Sequence, residues 1–314
     1  MAAVHAEHKL RNVLHSILLL GGMMLLFALL GAALLGVEGM LMMVAVSVLV
    51  TLFTPRASPW LTLRLYRASP LPYESMPALH DITAQLARAA GLASAPLLFY
   101  VPSAGMNAFA MQEQGEALIA VTDGLLRGLN RRELTGVLAH EISHIRNGDL
   151  GVMMLADMLS RMTAALALAG KIMLLAFLPL FLFGGAKLPW LAVLLLFFAP
   201  GISALMQMAL SRSREFDADL DAARLTGDPL GLASALAKIE PVAPWWQRLL
   251  FPGRESTGPS LLRTHPATEE RIQRLHELAT AASMPAHRVE WIDIPEALDT
   301  IDSPRRRHWL GVWY

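Results

Sequence analysis

Residues Val137-Leu138-Ala139-His140-Glu141-Ile142-Ser143-His144-Ile145 carry the most chemistry per residue in this chain. On a helix, four steps of about 100° bring His140 and His144 within about 40° of each other, one turn apart on one face. Both imidazoles can then bind a single Zn²⁺, and Glu141 can reach a water on that ion. Zinc lowers the pKa of such a water toward about 7, and a carboxylate takes its proton as it attacks a peptide carbonyl. The competing reading is a pair of satisfied core histidines. Two histidines and a glutamate are costly to bury on one face without a metal or partners, which favours the zinc site.

A catalytic zinc needs a third protein ligand and an open position. Downstream, Ser211-Arg212-Ser213-Arg214-Glu215-Phe216-Asp217-Ala218-Asp219 places Glu215 and Asp219 four apart on a helix. In one reading Glu215 ligates the metal and Asp219 hydrogen-bonds the outer ring nitrogen of a histidine. In the other, Arg212, Arg214, Glu215 and Asp219 form a charged helix face of i,i+3 and i,i+4 pairs. Spacing alone weighs the two equally. The chain has no cysteine, so thiolate catalysis and cysteine zinc ligands are excluded, and any metal must rest on histidine and carboxylate.

The elements that must position these groups are legible in outline. Residues 77–91 set Leu79, Ile82 and Leu86 on one helical face and stop at Gly91. Leu97–Val101, Asn107–Met111 and Ala117–Val121 read as strands. Asn130 opens the histidine helix with Glu133 three residues on, a capping-box pairing, and 212–226 and 229–240 read as helices. The fold class expected is α+β, mainly α, with a small β-sheet.

Composition points to a membrane. Of 314 residues, 54% are hydrophobic and 17% charged, well short of the roughly 25% charged usual for a soluble domain. With 26 basic residues against 26 acidic, nothing suggests nucleic acid as a partner. Charge-free runs at 16–37 and 39–55, a run at 162–186 broken only by Lys171, and a run at 188–211 predict four membrane-spanning helices. They form two hairpins with short turns. Lys9, Arg11, Arg56, Arg64, Arg67, Arg161, Arg212 and Arg214 flank the spans on one side, whereas the turns carry only Lys187 between them. By the positive-inside rule, both termini and the long polar segments face the cytoplasm.

The histidine segment through Asn147-Gly148-Asp149, the Ser211-Arg-x-Arg-Glu-Phe-x-Ala-Asp219 stretch, Thr264-His265-Pro266 and Asn107-Ala108-Phe109-Ala110 together resemble the HtpX-type membrane zinc metalloproteases, relatives of the C-a-a-X prenyl endopeptidases. The order of two spans, catalytic helix, two spans and glutamate helix fits as well, over roughly residues 10–280. The resemblance implies a gluzincin-like, zincin-type cytoplasmic domain holding one Zn²⁺ by His140, His144 and Glu215. It implies Glu141 as base and later proton donor, with Asp219 behind the ligands. It further implies that Asn107, Ala108, Phe109 and Ala110 pair with extended substrate as an edge strand. His265 would steady the oxyanion, or equally would cap a turn before Pro266.

The organisation expected is a membrane hairpin at 1–55, half of the catalytic domain at 56–161, a second hairpin at 162–211, the other half at 212–285 and a tail at 286–314. The tail has no counterpart in the resemblance; Arg305-Arg306-Arg307 beside tryptophans could bind an anionic membrane surface, dock on the catalytic domain or do neither, and three basic residues are fewer than a lipid-binding cluster needs, which favours docking. The implied function is a zinc endopeptidase of the bacterial inner membrane in quality control, cleaving misfolded membrane proteins under stress. The alternatives are a C-a-a-X prenyl-protein endopeptidase, disfavoured by only four spans, and a non-catalytic membrane scaffold.

Overall fold

The uncharged stretches become long helices, as a backbone denied water requires. In this computed structural model the described residues are 2–53, 59–113, 116–184, 189–239 and 268–281. His265, Lys187 and the tail at 286–314 therefore lie outside the described residues. The chain forms two compact units: Met1–Ala57 with Gly151–Arg214, and Ser58–Leu150 with the described residues from Glu215 onward.

The first unit is helical. It contains α1 (Ala2–Phe53), most of α6 (Asp149–Ala176), the short α7 (Leu178–Phe183) and the larger part of α8 (Trp190–Thr226). Among the described residues, three helices are long and apolar enough to cross a membrane: Leu14–Phe53 within α1, then α6 and α8. The sequence predicts four crossings, and the difference lies in α1. Gly36 leaves helical geometry at φ 68, ψ −154, a region that favours glycine. A Cβ built on Gly31 would stand 2.6 Å from the Gly39 carbonyl oxygen. Eight residues along a straight helix span about 12 Å, so α1 folds back on itself at Gly36.

Met23, Leu155, Leu159 and Leu210 form one buried cluster of this unit, and Leu30, Ala167 and Leu196 another. Leu18, Leu25, Leu175, Phe183 and Phe197 point outward and are exposed. So large an apolar exterior suits lipid rather than water.

The second unit is built on a four-stranded mixed sheet of order β1-β2-β4-β3, from β1 (Ser69–Pro70), β2 (Leu97–Val101), β3 (Ala108–Glu113) and β4 (Glu116–Thr122). β2 runs parallel to β4, while β3 pairs antiparallel with β4 and forms an edge. The three predicted strands appear at their expected positions. Alternation sorts their side chains onto two faces. Leu98, Tyr100, Ile119 and Val121 join Leu79, Ile82 and Leu86 of α3 (Pro77–Ala89) and Leu138 and Ile142 of α5 (Arg131–Asn147) in the main core. Phe99, Val101, Phe109, Leu118 and Ala120 face the other way, onto Leu63 of α2 (Pro59–Leu65).

A short helix, α4 (Asp123–Gly128), follows β4 and is capped by the Thr122 side chain. Helix α5 has its ends fixed by its own sequence. Asn130 and Glu133 form the expected capping box, and Gly148 closes the helix in the left-handed region at φ 68. Helix α9 (Pro229–Ile239) lies so close that a Cβ on Gly136 would come within 2.9 Å of the Leu232 backbone nitrogen. Glu133 adds a link across this contact, accepting hydrogen bonds from Ser234 Oγ at 2.6 Å and Lys238 Nζ at 2.7 Å. The last described helix is α10 (Thr268–Ala281).

Candidate metal centre

Helix α5 presents His140, Glu141 and His144 at the level of β3, and α8 brings Glu215 and Asp219 against them. All five side chains are buried, Glu215 completely. His140 Nε2 lies 3.2 Å from His144 Nε2 and 3.3 Å from Glu215 Oε2, and His144 Nε2 lies 3.5 Å from Glu215 Oε1. One donor atom from each of the three residues falls within 4.8 Å of the others. A tetrahedral zinc with ligands at 2.0–2.1 Å has ligand–ligand edges of about 3.3 Å, so the donor set fits such an ion in both spacing and chemistry.

The outer ring nitrogens explain the orientation of the rings. His140 Nδ1 lies 3.0 Å from Asp219 Oδ1, and His144 Nδ1 lies 3.1 Å from Asp149 Oδ2. A carboxylate close to Nδ1 favours a proton on that nitrogen and a free lone pair on Nε2, the side that faces the centre. A third element closes the group. Arg271 of α10, itself buried, donates from Nε and Nη2 to Asp219, both at 2.7 Å, and its Nη1 lies 3.0 Å from Glu215 Oε2.

Electrostatics follow from this crowding. Burial acts to lower both histidine pKa values, but Asp219 and Glu215 reverse that for His140, and Asp149 and Glu215 lift His144 well above the ordinary imidazole range. Burial pushes the Glu141 carboxyl up and Glu215 adds to the rise, against the lowering effect of the histidines. Glu141 Oε2 also accepts the backbone N–H of Ala110 at 2.8 Å, joining the glutamate to the edge strand.

The structure thus gathers His140, Glu141, His144, Glu215 and Asp219 into one cluster. Ala108, Phe109 and Ala110 lie in β3 beside it. Asn107 precedes the strand, with its backbone N–H donating to Thr122 Oγ1 at 2.8 Å and its carbonyl accepting the Thr122 N–H at 3.0 Å. Glu215 and Asp219 both face the histidines of α5. Two members escaped sequence reasoning. Asp149 stands just past Gly148, so its distance from His144 along the chain was a usable signal. Arg271 is 52 residues beyond Asp219 and offered none.

Comparison with known proteins agrees with this geometry. The model of Peptidase family M48 matches residues 74–279. A "Protease HtpX homolog" of Persephonella marina is 38% identical over 291 residues, covering 85% of this chain and 98% of that protein. A second, from Salinibacter ruber, is 37% identical over 288 residues, covering 86% and 99%. The crystal structure of S. mikatae Ste24p shares the fold at a TM-score of 0.50 and 18% identity, over 86% of this chain and 67% of that one. With a buried His–His–Glu cluster on one side and relatives matched over nearly their whole length on the other, the chain belongs to peptidase family M48, as a membrane metalloprotease of the HtpX type.

Proposed function

We propose that this chain is a zinc-dependent endopeptidase of the inner membrane that clears misfolded membrane proteins, with its catalytic domain and both termini on the cytoplasmic side. The observation that carries the chemistry is the convergence of His140, His144 and Glu215 with Glu141 beside them. We assign the three as zinc ligands for one ion per chain, Glu141 as general base and Asp219 as the group orienting His140. Bound zinc supplies a Lewis acid that polarises a peptide carbonyl and acidifies water.

The chain's own residues do the rest. An extended peptide adds to the open edge of β3 through main-chain hydrogen bonds, which brings its carbonyl to Glu141. Glu141 takes the proton of the attacking water and returns it to the departing amine nitrogen. Its raised pKa suits a group that must both accept and deliver a proton. Because recognition is by main chain, the enzyme accepts many sequences once a segment is unfolded, as quality control requires. His265 is proposed as an oxyanion partner from its sequence motif.

The same reading takes α1 as two crossings, supported by the reversal at Gly36, which with α6 and α8 gives four. It takes 56–161 and 212–285 as the two halves of the catalytic domain. Replacing Glu215 by Ala tests the ligand assignment. The variant is expected to lose zinc to a chelator at concentrations that leave the parent loaded, and to lose casein cleavage with it. Equal zinc retention in the two proteins would overturn the assignment.

A further inference from the structure

The second unit carries a surface that the peptidase chemistry does not use. Helix α2 seals the sheet face opposite α3 and α5, with Leu63 buried, Trp60 edge-on to Phe99 at 6.0 Å and Tyr66 against Phe109 at 5.7 Å. Its other side is of mixed character. Leu65 is 74% exposed and Trp60 52% exposed, and Arg64 and Arg67 are exposed beside them. An indole, a leucine and Arg64 on one short helix, with Arg67 just past its end, form the composition of a lipid headgroup interface, where aromatic rings and basic side chains both gain.

Two further observations point the same way. Only five residues separate Phe53, the end of a candidate membrane span, from Pro59, the start of α2. Such a tether reaches about 20 Å at full extension, so α2 stays within reach of the bilayer surface. Two arginines fall short of a free-standing anionic-lipid site, but tethering keeps their effective concentration at the surface high. Arg67 itself sits at φ 51 in the left-handed region, just past the helix end, where Ala68 N–H bonds back to Leu63 O at 2.8 Å. Glycine is the ordinary residue at such a position, and an arginine there is held against backbone preference.

We infer that α2 lies in the headgroup layer of an anionic membrane, inserting Trp60 and Leu65 and pairing Arg64 and Arg67 with lipid phosphates, and so fixes the sheet and its edge strand β3 at the bilayer surface. This goes beyond the proteolytic reading and does not depend on zinc.

The absence of cysteine makes the test direct. Single-cysteine Leu65→Cys and Arg88→Cys chains, each carrying Glu141→Gln to prevent self-cleavage, are nitroxide-labelled in phosphatidylcholine–phosphatidylglycerol vesicles (3:1). Accessibility to oxygen is compared with that to a water-soluble nickel chelate. The label at 65 is expected to favour oxygen and the label at 88, on α3, the chelate. Adding Arg67→Gly to Leu65→Cys removes the charge at a position where glycine relieves the backbone. It is expected to raise Tm while at least halving the oxygen preference at 65. Equal chelate accessibility at 65 and 88 would overturn the inference. So would a label at 65 shielded from both reagents, which would mean a protein partner or second copy covers α2.

Discussion

At the scale of single residues, the centre is a chain of carboxylates and cations in which each group orients the next. Asp149 and Asp219 lie against the outer ring nitrogens of the two histidines, and Arg271 reaches both Asp219 and Glu215. Loss of a partner behind a metal ligand typically costs 10–100-fold in affinity or activity. Arg271→Gln is therefore expected to weaken zinc binding by about that factor in a competition titration. Arg271→Lys is expected to restore only part of it, because an ammonium keeps the charge but not the fork that grips Asp219. Unchanged zinc affinity in Arg271→Gln would remove Arg271 from this role. Some members of the centre are encoded by spacing along the chain and others only by the fold. His140, Glu141 and His144 share one helical turn, so spacing along the chain is spacing in space. Arg271 meets Asp219 only through the packing of α10 against α8, and no pattern along the chain encodes that meeting.

At the scale of elements, α5 is held by its cap and by α9. Burial acts to raise the Glu133 carboxyl pKa, but the hydrogen bonds from Lys238, Ser234 and the Asn130 backbone outweigh it and leave the value below the ordinary 4.5. A carboxyl depressed on folding adds stability above its unfolded pKa and loses it as pH falls through the folded value. Glu133→Gln is thus expected to cost about 1 kcal/mol near neutral pH and progressively less below pH about 4.5, read from Tm against pH. A constant difference down to strong acid would contradict the assignment.

Strands β2, β3 and β4 were legible because their alternation matches the two faces of a sheet. Strand β1 has two residues and α2 seven, too few for any period to show. Helix α8 runs unbroken from Trp190 to Thr226, through the point at 211 where the apolar run ends. Polarity changes there, but no glycine or proline ends the helix. In α1 the reverse holds: a single glycine at 36 turns the backbone.

At the scale of the whole molecule, the two-unit organisation follows from a chain that alternates between apolar and mixed composition, and the alternation was readable from the first charge count. The side of the membrane is a prediction of the flanking arginines. A reporter fused after Tyr314 is expected to behave as cytoplasmic, and an exported reporter would reverse the orientation. Hydrolysis of peptide bonds with Glu141 as base at a His140–His144–Glu215 metal centre is tested by one direct measurement. Zinc content and casein cleavage are determined on the same purified samples of parent and Glu141→Gln. The expected result is one zinc per chain in both, with cleavage in the variant lowered by about 10²–10⁴-fold, the contribution of a positioned general base. Parental cleavage by the zinc-loaded variant, or by a parent stripped of zinc, would contradict the account.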